Sequence, residues 1–208
     1  IVFVDSTDNT SLTKRPFYNH IFTNPLPFKK IKFPQIPQKT YIQALEISCM
    51  VHDADHLNIV IQDALHKQYE LPYQDPYPFP HDSQYLDIKN SNFEVKITYH
   101  PFDIVIKRKA TQEILFKLSD RLVFTQLYIE FSFITPTNEI YGLGTRLTPL
   151  QIKPGTYTLF LLDRAGEIDF GKPGFNGQGH HSMYLMKEKS GKYHTFLLRN
   201  INFQEVTI

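Results

Sequence analysis

The chain has 208 residues, a length at which an all-β sandwich can form one main domain. It carries 22 Lys and Arg against 21 Asp and Glu, and this formal net charge of +1 argues against nucleic acid as a partner. No apolar run approaches the roughly 20 residues that a membrane-spanning helix needs. The chain opens at Ile1 without a charged and apolar leader, which is compatible with a removed leader and the secretory route.

The first 40 residues are rich in proline and aromatic residues. Prolines at 16, 25, 27, 34 and 37 would interrupt a continuous strand ladder. We therefore predict an extended arm over residues 1–40, ordered through its aromatic content. Asn9-Thr10-Ser11 is an N-glycosylation sequon within this arm.

Hydrophobic alternation begins after Tyr41. Residues 45–51 and 57–61 alternate and predict two strands, with "HDADH" between them. Residues 93–99 and 102–106 alternate in the same way, and a hairpin is predicted to turn near residues 110–112. A proline and aromatic segment, "LPYQDPYPFPHD", predicts a loop between these groups.

The second half continues the β pattern. Residues 127–133 and 157–161 predict strands, and a glycine-rich loop is predicted over residues 166–179. A last hairpin is predicted to turn at Ser190-Gly191. About a dozen short strands predict an all-β fold, a large antiparallel β-sandwich over residues 41–208.

Two histidine-containing stretches are candidates for a metal or ligand site. "HDADH" supplies four ligand types in His52, Asp53, Asp55 and His56, but a polar hairpin turn explains the same pattern. "GHH" at residues 179–181 offers a sugar or metal ligand, and the start of a strand explains it equally simply. We favour the structural interpretation of both and predict neither a metal nor a cofactor.

Two further motifs do not predict catalysis. Cys49 is the single cysteine, which excludes an internal disulfide, and its place in an alternating strand favours a buried thiol over a nucleophile. "IYGLGTRL" at residues 140–147 contains glycines but lacks the G-x-G-x-x-G spacing and the following helix of a phosphate site. Its glycines favour a sharp backbone turn.

Five segments occur in order between Tyr41 and Ile208, and two of them are "FEVKITYHPFDIVIKRKATQEILF" and "NEIYGLGTR". Their order resembles the N-terminal β-sandwich of glycoside hydrolase family 31, whose members include α-glucosidases. The former is similar to the family's PF-x-x-x-I-x-R-x-x-T-G-x-x-L-F hairpin, and the latter to its Y-G-x-G-E segment. The C-terminal 30 residues resemble its F-Y-L…F-L-L-N-S-N segment. Further landmarks are "LNIVIQDALHKQYELPYQ" and "YTLFLLDRAG".

The resemblance implies a galactose mutarotase-like sandwich without the family's catalytic (β/α)₈ barrel. The chain contains no tryptophan, so the family's tryptophan-containing nucleophile motif cannot be present. Asp163 matches a loop aspartate that contacts bound sugar in the family, so the resemblance implies a substrate-binding role for it. Expected partners are a catalytic barrel or another protein subunit and an α-glucoside, in the lysosome or outside the cell.

Departures from the family pattern leave alternatives open. Thr145 stands where the family has glutamate, and Tyr193-His194-Thr195 replaces its H-G-V. One interpretation is the N-terminal part of an α-glucosidase that works against a separate catalytic portion. Another is a catalytically silent relative that binds carbohydrate or assembles with proteins. A third is a mutarotase-like site with His180 or His181 as acid and Glu167 as base.

Overall fold

A computed structural model describes residues 18–23, 42–65, 67–68, 88–99, 101–118, 122–146, 148–159, 176–178, 181–200 and 202–208. These residues form several antiparallel sheets, and the helical element among them is one 3-10 turn, Ile88–Asn90. The predicted all-β antiparallel sandwich is confirmed. The chain divides into two compact units between Thr135 and Pro136.

The first unit contains two three-stranded sheets and one two-stranded ladder, each antiparallel. The sheets have the strand orders β1-β2-β3 and β4-β5-β6, and β7 pairs with β8. The described strands are β1 (Tyr18–Thr23), β2 (Ala44–Asp53), β3 (His56–Asp63), β4 (Phe93–Tyr99), β5 (Phe102–Arg108), β6 (Ile114–Lys117), β7 (Leu122–Phe124) and β8 (Ile129–Phe131).

Strand β2 supplies the centre of this unit's core. Leu45, Ile47, Cys49 and Val51, the alternating residues of the sequence pattern, are each at most 1% exposed. The register places Leu57, Ile59 and Ile61 of β3 directly opposite three of them, so both sets lie on one sheet face. The alternation therefore predicted the inward face of both strands correctly.

The second sheet confirms the predicted hairpin. Its turn lies between Arg108 and Ile114, where the Gln112 amide donates to the Arg108 carbonyl at 2.8 Å. Phe102, Ile104 and Ile106 of β5 are each 2% exposed. The opposite face carries Glu94 and Lys96 of β4, so this sheet has one apolar and one polar face.

The strand predicted over residues 127–133 is shorter than the alternation indicated. Strand β8 covers Ile129–Phe131, and Leu127 is 92% exposed in the turn after β7. The Thr125 hydroxyl accepts from the Tyr128 amide at 2.9 Å and donates to its carbonyl at 2.8 Å. These two bonds close the chain into a turn that removes Leu127 from the ladder.

The second unit also consists of antiparallel ladders. Its three-stranded sheet has the order β14-β13-β9, and two-stranded ladders join β10 to β12 and β11 to β15. The described strands are β9 (Ile140–Gly142), β10 (Thr145–Arg146), β11 (Thr156–Leu159), β12 (Asn176–Gln178), β13 (Ser182–Lys187), β14 (Tyr193–Leu198) and β15 (Gln204–Thr207).

Two sequence predictions on this unit have different outcomes. The hairpin with its turn at Ser190-Gly191 is confirmed, because β13 and β14 pair in register across it. The glycine-rich segment 166–179 is not loop throughout, since residues 176–178 form β12 against β10. The arm predicted over residues 1–40 lies outside the described residues except for β1, and its boundary at residue 40 stays a prediction.

We expect the Cys49 thiol to be unreactive in the folded protein. Burial raises its pKa well above the ordinary value, so little thiolate forms at neutral pH. Alkylation by iodoacetamide at pH 8 should be slower than in guanidinium-unfolded protein by at least about a hundredfold. Peptide mass spectrometry of the Cys49 peptide measures this ratio, and equal rates in the two states would contradict the buried position.

Candidate functional site

The Tyr-Gly-Leu-Gly stretch forms a tight reversal at the end of β9. Gly142, Leu143 and Gly144 have φ angles of +117°, +60° and +86°, so three consecutive residues lie in the left-handed region. Residues other than glycine rarely adopt such φ angles. The motif is therefore a turn, as its glycines predicted.

Close packing against β13 makes Gly142 necessary. A Cβ at this position would lie 2.8 Å from the Met183 carbonyl oxygen and 3.2 Å from the Tyr184 Cα. The Leu143 amide donates to that same Met183 carbonyl at 2.8 Å. The first glycine thus allows the two backbones to approach, and the next residue closes the contact.

Leu143 is a non-glycine residue in a costly conformation. The left-handed region costs an L-residue roughly 1–2 kcal/mol. Its side chain is 1% exposed, and full burial of a leucine contributes roughly 1.5–3 kcal/mol. Burial together with the Met183 hydrogen bond therefore offsets the backbone cost and fixes the reversal.

Arg146 ties this turn to β11. Its Nε donates to the Leu143 carbonyl at 2.7 Å, and its Nη2 donates to the Thr158 carbonyl. The guanidinium also lies over the Tyr157 ring, 5.3 Å from the centroid. Burial lowers its pKa, an effect that Tyr157 opposes. Arg146 acts here as a clamp on the backbone.

The residue directly after the turn is exposed and departs from the pattern of the family that the sequence resembles. Thr145 stands where a glutamate is expected, and its side chain is exposed on β10. Thr145 pairs with Gln178 and Arg146 with Asn176, so β10 joins the turn to β12. The replacement leaves the backbone ladder in place and removes a carboxylate from the surface.

A buried carboxylate lies at the β13–β14 turn, which the sequence pattern did not predict. Glu188 is 1% exposed, and its Oε1 lies 3.4 Å from His194 Nδ1. The Ser190 hydroxyl donates to Oε2 at 3.3 Å, and the Glu188 amide donates to the Lys192 carbonyl at 2.8 Å. The sequence showed only a glutamate and a histidine on the two sides of the predicted hairpin turn, and the bonds from Ser190 and to Lys192 support that turn.

The "HDADH" stretch forms the turn between β2 and β3, which confirms the polar-turn interpretation. Asp53 accepts from the Asp55 amide at 2.7 Å and contacts His56 Nδ1 at 2.6 Å. The Asn92 amide side chain donates to Asp55 at 2.8 Å. Burial raises the pKa of Asp53, but the bonds from Asp55 and His56 outweigh it and the net pKa is lowered. These polar groups satisfy one another.

The remaining sequence candidates are not brought together by the described structure. Asp163, Glu167 and His180 lie outside the described residues, and His181 is exposed just before β13. Within the described ranges, no group of three or more His, Cys, Asp or Glu side chains is placed to hold a metal ion. In the same part of the chain, no helix is long and apolar enough to cross a membrane.

The described site is an architectural one. Its arginine holds backbone carbonyls, its glycines allow close approach of two strands, and its buried carboxylate supports a hairpin. Such groups position neighbouring segments and supply no nucleophile. The fold and site thus define an antiparallel β-sandwich chain with a rigid Tyr-Gly-x-Gly turn.

Homologues of this chain are α-glucosidases and sucrase-isomaltases. The lysosomal acid α-glucosidase of Tetrahymena pyriformis is 32% identical over 171 residues, which cover 80% of this chain and 18% of that relative. The intestinal sucrase-isomaltase of Rattus norvegicus is 29% identical over 87% of this chain and 9% of its own length. The lysosomal α-glucosidase of Rattus norvegicus is 25% identical over 80% of this chain and 17% of its own length.

The chain therefore spans less than a fifth of the length of these curated relatives. No protein-family model matches it. The similarity nevertheless extends over most of the chain, which supports common ancestry with part of a much larger glucosidase. This agrees with the resemblance seen in the sequence landmarks.

A series of glycine-to-alanine changes tests the reversal. Gly142→Ala should lower the free energy of unfolding by about 2–5 kcal/mol, because it combines backbone strain with a clash against the Met183 carbonyl. Gly191→Ala has positive φ but open space around it, and should cost about 1–2 kcal/mol. Urea unfolding measures the free energy of unfolding of each variant.

Gly155→Ala is the matched control for that series. Its φ is outside the left-handed region and its nearest contact would be 3.7 Å, so we expect a change within about 0.5 kcal/mol. An equal loss in all three variants, or no loss in Gly142→Ala, would contradict the described turn.

Arg146→Lys should destabilise the second unit although charge is retained. A lysine cannot bridge two carbonyls with a planar fork, so we expect a loss of about 1–2 kcal/mol in the free energy of unfolding. The control is Lys153→Arg at an exposed position of the same unit, which should change stability by less than about 0.5 kcal/mol. Indistinguishable unfolding curves for these two variants would show that the clamp is unimportant.

Proposed function

We propose that this chain is the N-terminal β-sandwich portion of a family 31 α-glucosidase. It supports a separate (β/α)₈ catalytic part and contributes a loop to the substrate site. The observation that carries the proposal is the combination of two coverages: 80% of this chain aligns with a lysosomal acid α-glucosidase, but only 18% of that relative is spanned. In this proposal the separate catalytic part, and not this chain, supplies the nucleophile and the acid/base.

The local geometry supports a positioning role for the turn. Asp163 lies between β11 and β12 along the chain. Arg146 holds the β11 carbonyl of Thr158, and β12 pairs with β10 directly after the turn. Both strands that flank the Asp163 segment are thus attached to one rigid reversal, which favours a defined position for a loop that contacts sugar.

The relatives' names favour the secretory route. Two are called lysosomal and one intestinal, and we propose a lysosomal or extracellular location for this protein. In the family's mechanism two carboxylates flank the scissile glycosidic bond, and we assign both to the catalytic barrel. An α-glucoside would then contact this chain through Asp163.

A second candidate is a catalytically silent relative that binds carbohydrate or assembles with other proteins. The observation in its favour is Thr145, which replaces the family's glutamate and is exposed. The Tyr193-His194-Thr195 departure favours the same alternative. His194 lies 3.4 Å from the buried Glu188, so this departure falls within the β13–β14 hairpin.

Mapping the native polypeptide distinguishes these candidates. Intact mass and terminal peptide maps of the protein from its source should show continuation beyond Ile208 into a barrel. A native terminus at Ile208 would contradict the α-glucosidase proposal and favour the silent relative. Hydrolysis of maltose by folded chain 1–208 alone would contradict both.

Asp163→Asn in the full-length protein tests the substrate contact. Loss of the negative charge should weaken the hydrogen bond that the side chain accepts from a sugar hydroxyl, and so lower kcat/KM for maltose by about ten- to a hundredfold, through KM, kcat or both. Asp55→Asn is the control, because Asp55 lies in the β2–β3 turn and should leave kcat/KM unchanged. Equal activity of both variants would remove Asp163 from the site.

A further inference from the structure

The second unit has an exposed apolar face on its three-stranded sheet. Met183 lies directly opposite Leu197, and Leu185 lies between Tyr141 and Thr195. Residues directly opposite in antiparallel strands share a face, as do residues two apart along one strand. We call this surface the outer face; its members are Tyr141, Met183, Leu185, Lys187, Tyr193, Thr195 and Leu197.

The exposure of this face is substantial. Met183 and Leu185 are each 40% exposed, Leu197 is 36% exposed and Tyr193 is 51% exposed. The opposite face of the same sheet is core, where Met186 is fully buried and the rings of Tyr184 and Phe196 stack with centroids 4.8 Å apart. Strands β13 and β14 therefore carry large apolar or aromatic side chains on both faces.

Two-faced apolar strands are typical of sheets that are covered on both sides. An antiparallel strand with one face in water normally alternates apolar and polar residues. This chain contains such a strand in β4, whose outward residues Glu94 and Lys96 lie opposite Lys107 and Val105. The contrast between β4 and β13 within one molecule indicates that the outer face is built for burial.

The charges at one end of the outer face are already paired. Lys187, opposite Tyr193, donates to both carboxylate oxygens of Glu139 at 2.9 and 3.1 Å. The hydrogen bond and charge of Glu139 raise the pKa of Lys187, so the amine stays charged and paired. An occupant is thus recognised by apolar and aromatic contact, the composition typical of interface cores.

We propose that further polypeptide of the same α-glucosidase packs on the outer face in the intact protein. This inference rests on the proposed function. The segment that aligns is 18% of the Tetrahymena pyriformis relative, so most of such a protein is available to cover the sheet. Contact within one large polypeptide requires no self-complementary surface, unlike a symmetric dimer.

Cysteine labelling of the full-length native protein tests the inference. Leu185→Cys places a thiol in the outer face, and Lys96→Cys places one on the exposed polar face of β4 as a matched control. The parent protein, whose Cys49 is buried, gives the background. We expect maleimide to label Leu185→Cys at least about tenfold more slowly than Lys96→Cys, and both equally in denaturant.

Met183→Cys is a second variant in the outer face, in case Leu185→Cys does not fold. Light scattering gives the oligomeric state of each sample, and intact mass gives its length. Slow labelling in a monomer that continues beyond Ile208 supports the inference. Rapid labelling in such a protein overturns the inference and leaves the proposed function standing.

Two further outcomes also decide against it. Slow labelling that becomes rapid on dilution of a dimer would show that a second copy covers the face. A native polypeptide that ends at Ile208 overturns the proposed function and, with it, this inference.

Discussion

The backbone reversal at Gly142-Leu143-Gly144 is the constraint on which the second unit depends. Three consecutive positive φ angles turn the chain out of β9, and the Leu143 amide bonds the Met183 carbonyl. The same carbonyl would clash with any side chain at Gly142. The turn therefore allows β9 to lie close beside β13. It also sets the direction in which the chain continues into β10.

The alternation of hydrophobic residues predicted much of the fold because it reports one local property, the face on which a side chain lies. Leu45, Ile47 and Cys49 are buried as their spacing indicates. The strand prediction from this alternation was wrong at Leu127, because the Thr125 hydroxyl forms a turn with Tyr128 although the hydrophobic pattern continues. A side-chain hydrogen bond of this kind overrides periodicity and leaves no signal in spacing.

The candidate site was less predictable than the strands. The glycines of the turn were visible in the sequence, but Met183, whose carbonyl packs against them, is 41 positions downstream of Gly142 and no pattern joins the two. Glu188 and His194 were equally hidden, since burial of a carboxylate depends on the packing of a whole hairpin. Local propensity identifies residues that are able to turn or pair, whereas tertiary packing decides which do so.

The polar side chains of the described site are engaged within the second unit. Arg146 is occupied by two carbonyls and a ring, and Glu188 is buried beside His194, so neither is available to a substrate. The turn is attached through Arg146 to β11 and through β10 to β12, the two strands between which Asp163 lies along the chain. If that aspartate contacts sugar, the turn contributes to catalysis by fixing where the aspartate lies.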